Sequence, residues 1–290
     1  MLQDVYGKLK KMIKRAAMEP FKRFAKEFFS IIEWMEMFPG LTSGFTTRNG
    51  GVSAGQVNGL NFGYHVKDEQ KNVTRNRKSL SKSIGFPLHT WVGAEQTHET
   101  KIQRITSGDR GMGASSYDTS FKGIDGFYTS ESGILLTMCF ADCVPLFFIY
   151  PEKRWIGIAH AGWRGTVGNI AGEMVSSLVS HGAASEGILA AIGPSICKTC
   201  YIVDERIIEL VENVLERVDK KPYNQISGGQ YALDLKEVNR LMLLKAGLKE
   251  EHILVTGHCT SCSNEIFYSH RKEKFSAGRM AAFIGWKEAF

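Results

Sequence analysis

An apolar run from Ile134 to Tyr150, a polar break at Pro151-Glu152-Lys153-Arg154 and a second run at Trp155-Ile156-Gly157-Ile158-Ala159 restrict the fold most. Two apolar segments either side of a proline-bearing turn read as an antiparallel hairpin. That hairpin excludes an all-parallel sheet, although strands and helices alternate through the middle of the chain. It also sets Cys143 on one arm against His160 at the end of the other. A turn centred on Pro151-Glu152 puts the two directly opposite, and a four-residue loop over 151–154 makes them diagonal neighbours on one face. A three- or five-residue loop would separate them onto opposite faces. Opposed Cβ atoms lie about 4.5–5.5 Å apart, close enough to share one ion.

Residues 44–48 read as a strand, Asn49-Gly50-Gly51 as a tight turn, and 71–85 as a polar helix. Residues 91–105, mostly strand, carry His98, and the small polar stretch 107–123 reads as a long loop over a site. After the hairpin, helices are expected at 166–181, 203–218 and 235–246, with strands at 188–192, 253–255 and 280–284. No internal repeat or long linker divides residues 37–290, which read as one domain. Residues 1–36 read as a basic, amphipathic, helical extension, with a poorly packed tail ranked ahead of a membrane-surface or partner-binding arm. Met18 is an alternative start.

Net charge is +6, but Lys8, Lys10, Lys11, Lys14, Arg15, Lys22, Arg23 and Lys26 against Asp4 and Glu19 account for all of it. The remainder is neutral overall, which argues against a nucleic-acid-binding face. No apolar stretch is long enough to span a membrane, and the amino terminus lacks the apolar core of a secretory signal. Six cysteines in that setting point to reduced thiols and a cytoplasmic location.

His98, Cys143 and His160 form a candidate metal site. Three ligands leave a fourth position open, the pattern of a catalytic rather than a structural zinc site. Singly, each reads equally well as a packed core residue. Asp142 beside Cys143 is a candidate to orient a histidine ligand or to carry a proton. Cys197-Lys198-Thr199-Cys200 and Cys259-Thr260-Ser261-Cys262 are separated by 58 residues, far more than a usual zinc-ribbon gap, so redox pairing or packing ranks ahead of a structural zinc. Gly193-Pro194-Ser195 is a weak anion-binding signal. Of the arginines, Arg48 and Arg164 sit in glycine-rich turns and are the candidate phosphate clamps, with Arg271 and Arg279 near the carboxyl terminus. Two histidines and a cysteine also suit blue copper. A multicopper oxidase needs further histidines for a trinuclear cluster, several in His-x-His pairs. The chain has eight histidines and no such pair.

Taken in order, Thr46-Thr47-Arg48, Gly50-Gly51-Val52-Ser53, Leu60-Asn61-Phe62-Gly63, Gln96-Thr97-His98, Asp125-Gly126, Ala141-Asp142-Cys143-Val144-Pro145, His160-Ala161-Gly162-Trp163-Arg164-Gly165, Gly193-Pro194-Ser195-Ile196, Cys200-Tyr201, Phe267-Tyr268-Ser269-His270-Arg271 and Gly278-Arg279-Met280-Ala281-Ala282 resemble the YfiH-type, laccase-domain family, within it the YlmD-like branch. The resemblance runs from about residue 38 to the end. It implies a four-layer α/β/β/α sandwich with mixed sheets, and zinc held by His98, Cys143 and His160, with copper as the alternative ion. It also implies phosphorolysis of inosine, adenosine and methylthioadenosine, and adenosine deamination. Small-molecule purine nucleosides and phosphate are then the partners. Cys197-x-x-Cys200 departs from relatives that have adjacent cysteines before the tyrosine.

On that resemblance, Asp142, Arg48 and Arg164 are the candidate catalytic residues, and Asn61, Gln96 and Arg271 the candidate substrate contacts. Deamination would need a proton-carrying carboxylate, with Asp142 or Glu95 available. Two rival classes stand beside these expectations. One is a cysteine hydrolase on peptidoglycan precursors, with Cys143 as nucleophile and His160 as base. The other is a non-catalytic metal-binding or interaction protein, and the resemblance adds a copper-binding polyphenol oxidoreductase as a further alternative.

Overall fold

Two six-stranded mixed sheets dominate the computed structural model, which describes residues 19–216 and 219–288. The first sheet runs, edge to edge, through Phe21–Arg23, Phe28–Ile31, Leu41–Thr46, Met280–Trp286, Ile134–Phe140 and Trp91–Val92. The second runs through Ile253–Val255, Leu189–Ile192, Val144–Tyr150, Trp155–Ala161, Gly126–Thr129 and Ile102–Arg104. Each sheet is antiparallel except for its parallel pairs, which are Trp91–Val92 with Ile134–Phe140, Ile253–Val255 with Leu189–Ile192, and Ile102–Arg104 with Gly126–Thr129.

The long apolar run is two strands rather than one hairpin arm. Ile134–Phe140 lies in the first sheet and Val144–Tyr150 in the second. The break falls at Ala141-Asp142-Cys143, where Asp142 takes a positive φ of 81°. Both strands are buried on both faces, so neither shows polar alternation and the run looks continuous in sequence. Leu136, Met138 and Phe140 meet Phe147, Ile149, Ile156 and Ile158 in the apolar core shared by the two sheets. The other face of the second sheet packs Val144, Leu146 and Phe148 against the helices Ile170–Ser180, Glu205–Leu215 and Leu235–Lys245. The other face of the first sheet packs Leu135 and Phe283 against Leu80 and Ile84 of the helix Gln70–Ile84.

The hairpin turn is the four-residue alternative. Tyr150 pairs with Trp155 and Pro145 with His160, so Cys143 continues diagonally past His160 on the face toward the inter-sheet core. The helix expected at 166–181 is two helices, Trp163–Val167 and Ile170–Ser180. Asn169 separates them at φ 65° and caps the second by accepting the Gly172 N–H. The helix expected from 203 begins only at Glu205, after the short strand Ile202–Asp204.

Among the described residues the helical reading of 1–36 holds only at its end, where Ile32–Met37 is a helix; residues 1–18 lie outside the described part. Phe21–Arg23 and Phe28–Ile31 form an antiparallel pair that joins the first sheet through Leu41–Thr46. Phe21, Phe28, Phe29 and Ile31 are buried, and this apolar content outweighs the basic residues between them. Lys22 and Arg23 on the outermost strand put charge at an open sheet edge, a common guard against edge-to-edge pairing.

Candidate metal centre and active site

The three predicted ligands converge. One ligand atom from each of His98, Cys143 and His160 lies within 4.8 Å of the others. Zn–N bonds of about 2.0–2.1 Å and Zn–S bonds of about 2.3 Å give donor-to-donor edges of roughly 3.3–3.8 Å in a tetrahedral site. Closure onto one ion therefore needs only small side-chain movements. His160 comes from the strand Trp155–Ala161, and Cys143 from the crossing between the two sheets. His98 comes from a turn at φ 65° rather than from a continuous strand, because 91–105 divides into three short strands.

Asp125 organises the centre. It is fully buried, and its Oδ1 lies 2.8 Å from His160 Nδ1, which leaves Nε2 for the ion. The same carboxylate accepts the backbone N–H groups of Thr97 and His98 at 3.1 Å and Glu99 at 2.9 Å. One residue thus fixes the ring of one ligand and the left-handed backbone of another. Burial works against the Asp125 charge, but the His160 bond and these backbone donors hold its carboxyl below the ordinary aspartate range. Burial also opposes charge on the Cys143–His160 pair. The imidazoles, His160 foremost, nevertheless lower the Cys143 thiol to about 6, and Cys143 with Asp125 raises His160 to about 9. The protein is thus built to carry a thiolate against a cation, the electrostatic situation a divalent metal exploits. Gly162 leaves room for the pair, since a Cβ there would lie 3.0 Å from His98 Cδ2 and 3.2 Å from Cys143 Sγ.

A cavity of about 250 Å³ opens over the three ligands, lined further by Gln96, Tyr117, His65, His270 and Arg279. Tyr117 comes from the 107–123 loop, which the sequence placed over a site. Gln96 is pinned by exchanging hydrogen bonds with the Cys139 backbone at 2.9 and 2.8 Å.

The remaining candidates do not line this cavity. Asp142 is buried and accepts hydrogen bonds from Thr260 Oγ1 at 2.6 Å, Ser269 Oγ at 3.0 Å and the Arg271 N–H at 2.6 Å. Asn61 is buried between Asp68, Gly63 and the Arg279 N–H. Arg48 binds Glu273 at 2.7 Å and the Asn264 carbonyl, and stacks 4.4 Å from the Tyr268 ring centre. Arg271 donates to the Ile202 carbonyl and covers Tyr201, while Arg164 lies against Trp163 at the start of a helix. Glu95 pairs with Lys122 at 3.0 Å.

The orienting role of Asp125 was not read from the sequence. Its signal was an acid set among Ile124, Phe127 and Tyr128, an apolar stretch where a carboxylate needs a buried partner. Nor did the spacing rule anticipate a second cluster. Ligand atoms of Cys197, Cys200, Cys259 and Cys262 also lie within 4.8 Å of one another, a group able to hold a metal. The 58 intervening residues do not separate them, because Ser195 and Cys259 lie side by side in a parallel bridge.

Residues 42–287 match the family model described as "Multi-copper polyphenol oxidoreductase laccase". The chain is 48% identical over 253 residues to a protein of Geobacillus stearothermophilus named purine nucleoside phosphorylase YlmD, covering 87% of this chain and 92% of that one. It is 44% identical over 274 residues to the Bacillus subtilis protein of the same name, covering 93% and 98%. The crystal structure of YlmD from Geobacillus stearothermophilus superposes with a TM-score of 0.89 at 44% identity, over 93% of this chain and all of that one. A Bacillus licheniformis structure titled hypothetical protein YfiH gives 0.90 at 43%, with the same coverage. The chain belongs to the YfiH/YlmD-type purine nucleoside phosphorylase family.

Proposed function

We propose that the chain is a zinc-dependent purine nucleoside phosphorylase. It would cleave inosine, adenosine and methylthioadenosine with phosphate, giving free base and ribose or methylthioribose 1-phosphate. The observation that carries this is the convergence of His98, Cys143 and His160 beneath a cavity that also presents Arg279 and His270. The family relationship supports the substrate class, and the layer order helix, sheet, sheet, helix belongs with it. A nitrogen–nitrogen–sulfur set suits zinc, with copper as the alternative ion.

Bound there, the ion supplies Lewis-acid polarisation and water activation. The protein's part is placement and charge. Asp125 holds the His160 proton at Nδ1, and Gln96 lines the cavity together with Tyr117. Arg279, with His270, is the cation that meets phosphate, in place of Arg48 and Arg164. Asp142, Asn61, Arg48 and Arg271 act as positioning residues through the bonds described above. Adenosine deamination is proposed as a second activity of the same cavity. None of its described lining residues is a carboxylate, so His65 or His270 would carry the proton instead of Asp142 or Glu95.

One observation favours a second reading. Cys143, His160 and Asp125 also form a nucleophile–base–orienter chain, as a cysteine hydrolase acting on peptidoglycan precursors would need. Purified protein incubated with inosine, with and without phosphate, decides between the two. Hypoxanthine release that needs phosphate and stops on chelation supports phosphorolysis. Release without phosphate rules it out, and precursor hydrolysis that survives chelation supports the hydrolase.

A further inference from the structure

The two Cys-x-x-Cys elements leave the ends of neighbouring parallel strands, Leu189–Ile192 and Ile253–Val255. The Ser195–Cys259 bridge, with Thr260 N–H donating to the Ser195 carbonyl at 3.1 Å, carries the two chains forward side by side. All four thiols are free. Cys262 Sγ lies 3.8 Å from Cys197 Sγ and 3.5 Å from Cys200 Sγ. A disulfide requires about 2.05 Å between sulfurs. Sulfurs about 2.3 Å from a tetrahedral zinc sit roughly 3.8 Å from each other. The two spacings from Cys262 are close to edges of that tetrahedron, and all four sulfurs lie within 4.8 Å of one another.

The surroundings match the same occupant. Cys259 Sγ accepts N–H bonds from Cys197 at 3.2 Å and Cys262 at 3.3 Å. Two backbone donors on one sulfur stabilise a thiolate and fix its lone pairs, as the outer shell of a metal site does. Four sulfurs close the coordination sphere, leaving no position for a substrate. The cluster is nonetheless tied to the catalytic centre. Thr260, inside one element, donates its hydroxyl to Asp142 Oδ1 at 2.6 Å. Ile196, the residue before the other, donates its N–H to the Asp142 carbonyl at 3.0 Å. Asp142 is the positive-φ residue that precedes Cys143.

We propose that Cys197, Cys200, Cys259 and Cys262 bind a second, structural zinc ion, and that this closed site braces Asp142 and so aims Cys143 at the first. The ion replaces the four thiol protons, which pass to solvent, and no oxidant or reductant is involved.

The test is zinc counted per chain on the purified full-length protein, beginning with the wild type. Two equivalents are expected, falling to one in His98→Ala and to one in Cys262→Ser, with the surviving ion at the other site each time. Cys262→His keeps four ligands of a kind zinc accepts and should restore the count, which repair of packing alone would not do. Bracing is read separately, by chelator competition at the His98–Cys143–His160 site. Cys262→Ser should weaken that site about 10–100-fold and Cys262→His should recover it. A wild-type count of one that His98→Ala abolishes would overturn the second site, even if Cys262→Ser does not fold. Unchanged affinity at the first site in Cys262→Ser would overturn the bracing.

Discussion

Replacing Asp125 with asparagine tests the centre's organisation with almost no change in shape. In the native chain the carboxylate accepts from His160 Nδ1 at 2.8 Å and from the backbone N–H groups of Thr97, His98 and Glu99 at 2.9–3.1 Å. An amide has one accepting oxygen. Turned toward His160, it points its NH₂ at N–H donors of the 97–99 turn; turned the other way, it points NH₂ at Nδ1 and favours the wrong tautomer. Either way at least one charge-assisted hydrogen bond is lost, each worth about 1.5–3 kcal/mol. Part of that loss falls on folding and part on metal binding. Outer-shell changes of this kind cost about 10–100-fold in metal affinity, which is about 1.4–2.7 kcal/mol. Competition between the protein and a chromophoric chelator, run on wild type and Asp125→Asn, reads that difference directly. Equal affinities in the two proteins would refute the orienting role of Asp125.

Other expectations follow from the same geometry. In Gly162→Ala the backbone tolerates the new residue, at φ −67° and ψ 175°, but its Cβ crowds His98 and Cys143. Inosine turnover should fall about 10–100-fold while the melting temperature shifts little. Arg279→Ala should raise the KM for phosphate more than that for inosine in steady-state kinetics, since the residue lines the cavity. Arg48→Ala should instead lower stability by about 1–3 kcal/mol in urea unfolding and leave the phosphate KM unchanged, because Glu273 and Asn264 already engage the side chain. In metal-stripped protein, alkylation of Cys143 followed by peptide mapping should rise with a midpoint near pH 6. Thiolate is the form above the midpoint, so a lowered pKa extends reactivity downward, whereas an ordinary thiol would rise only near about 8.5. Added zinc should protect the residue above that midpoint, where the ligands are deprotonated.

Much of the site was legible because its ligands sit on short-range structure. Cys143 and His160 flank one hairpin, and only the length of the Pro151–Lys153 turn region separated the two usable registers from the unusable ones. The His98 motif was found, although its turn geometry depends on Asp125, a contact across 27 positions that leaves no periodic trace. In sequence, Arg48 and Asp142 read as catalytic candidates because charged residues in glycine-rich or ligand-adjacent positions suggest chemistry. The fold uses both to tie distant segments together, Arg48 to Glu273 and Asp142 to Thr260 and Ser269. The Cys-x-x-Cys pair was ranked low on a gap measured along the chain, whereas parallel pairing of Leu189–Ile192 with Ile253–Val255 sets the distance that matters. The strands at Phe21–Arg23 and Phe28–Ile31 were hidden by the basic composition around them. Their phenylalanines carried the signal that charge obscured.

Anomalous diffraction collected on either side of the zinc absorption edge, from crystals of the full chain, shows whether the three side chains hold a zinc ion. A peak bonded to His98, Cys143 and His160, with His160 coordinating through Nε2 and its Nδ1 on Asp125, is the expected result. Those three side chains turned apart in zinc-replete crystals, with no peak between them, would contradict it.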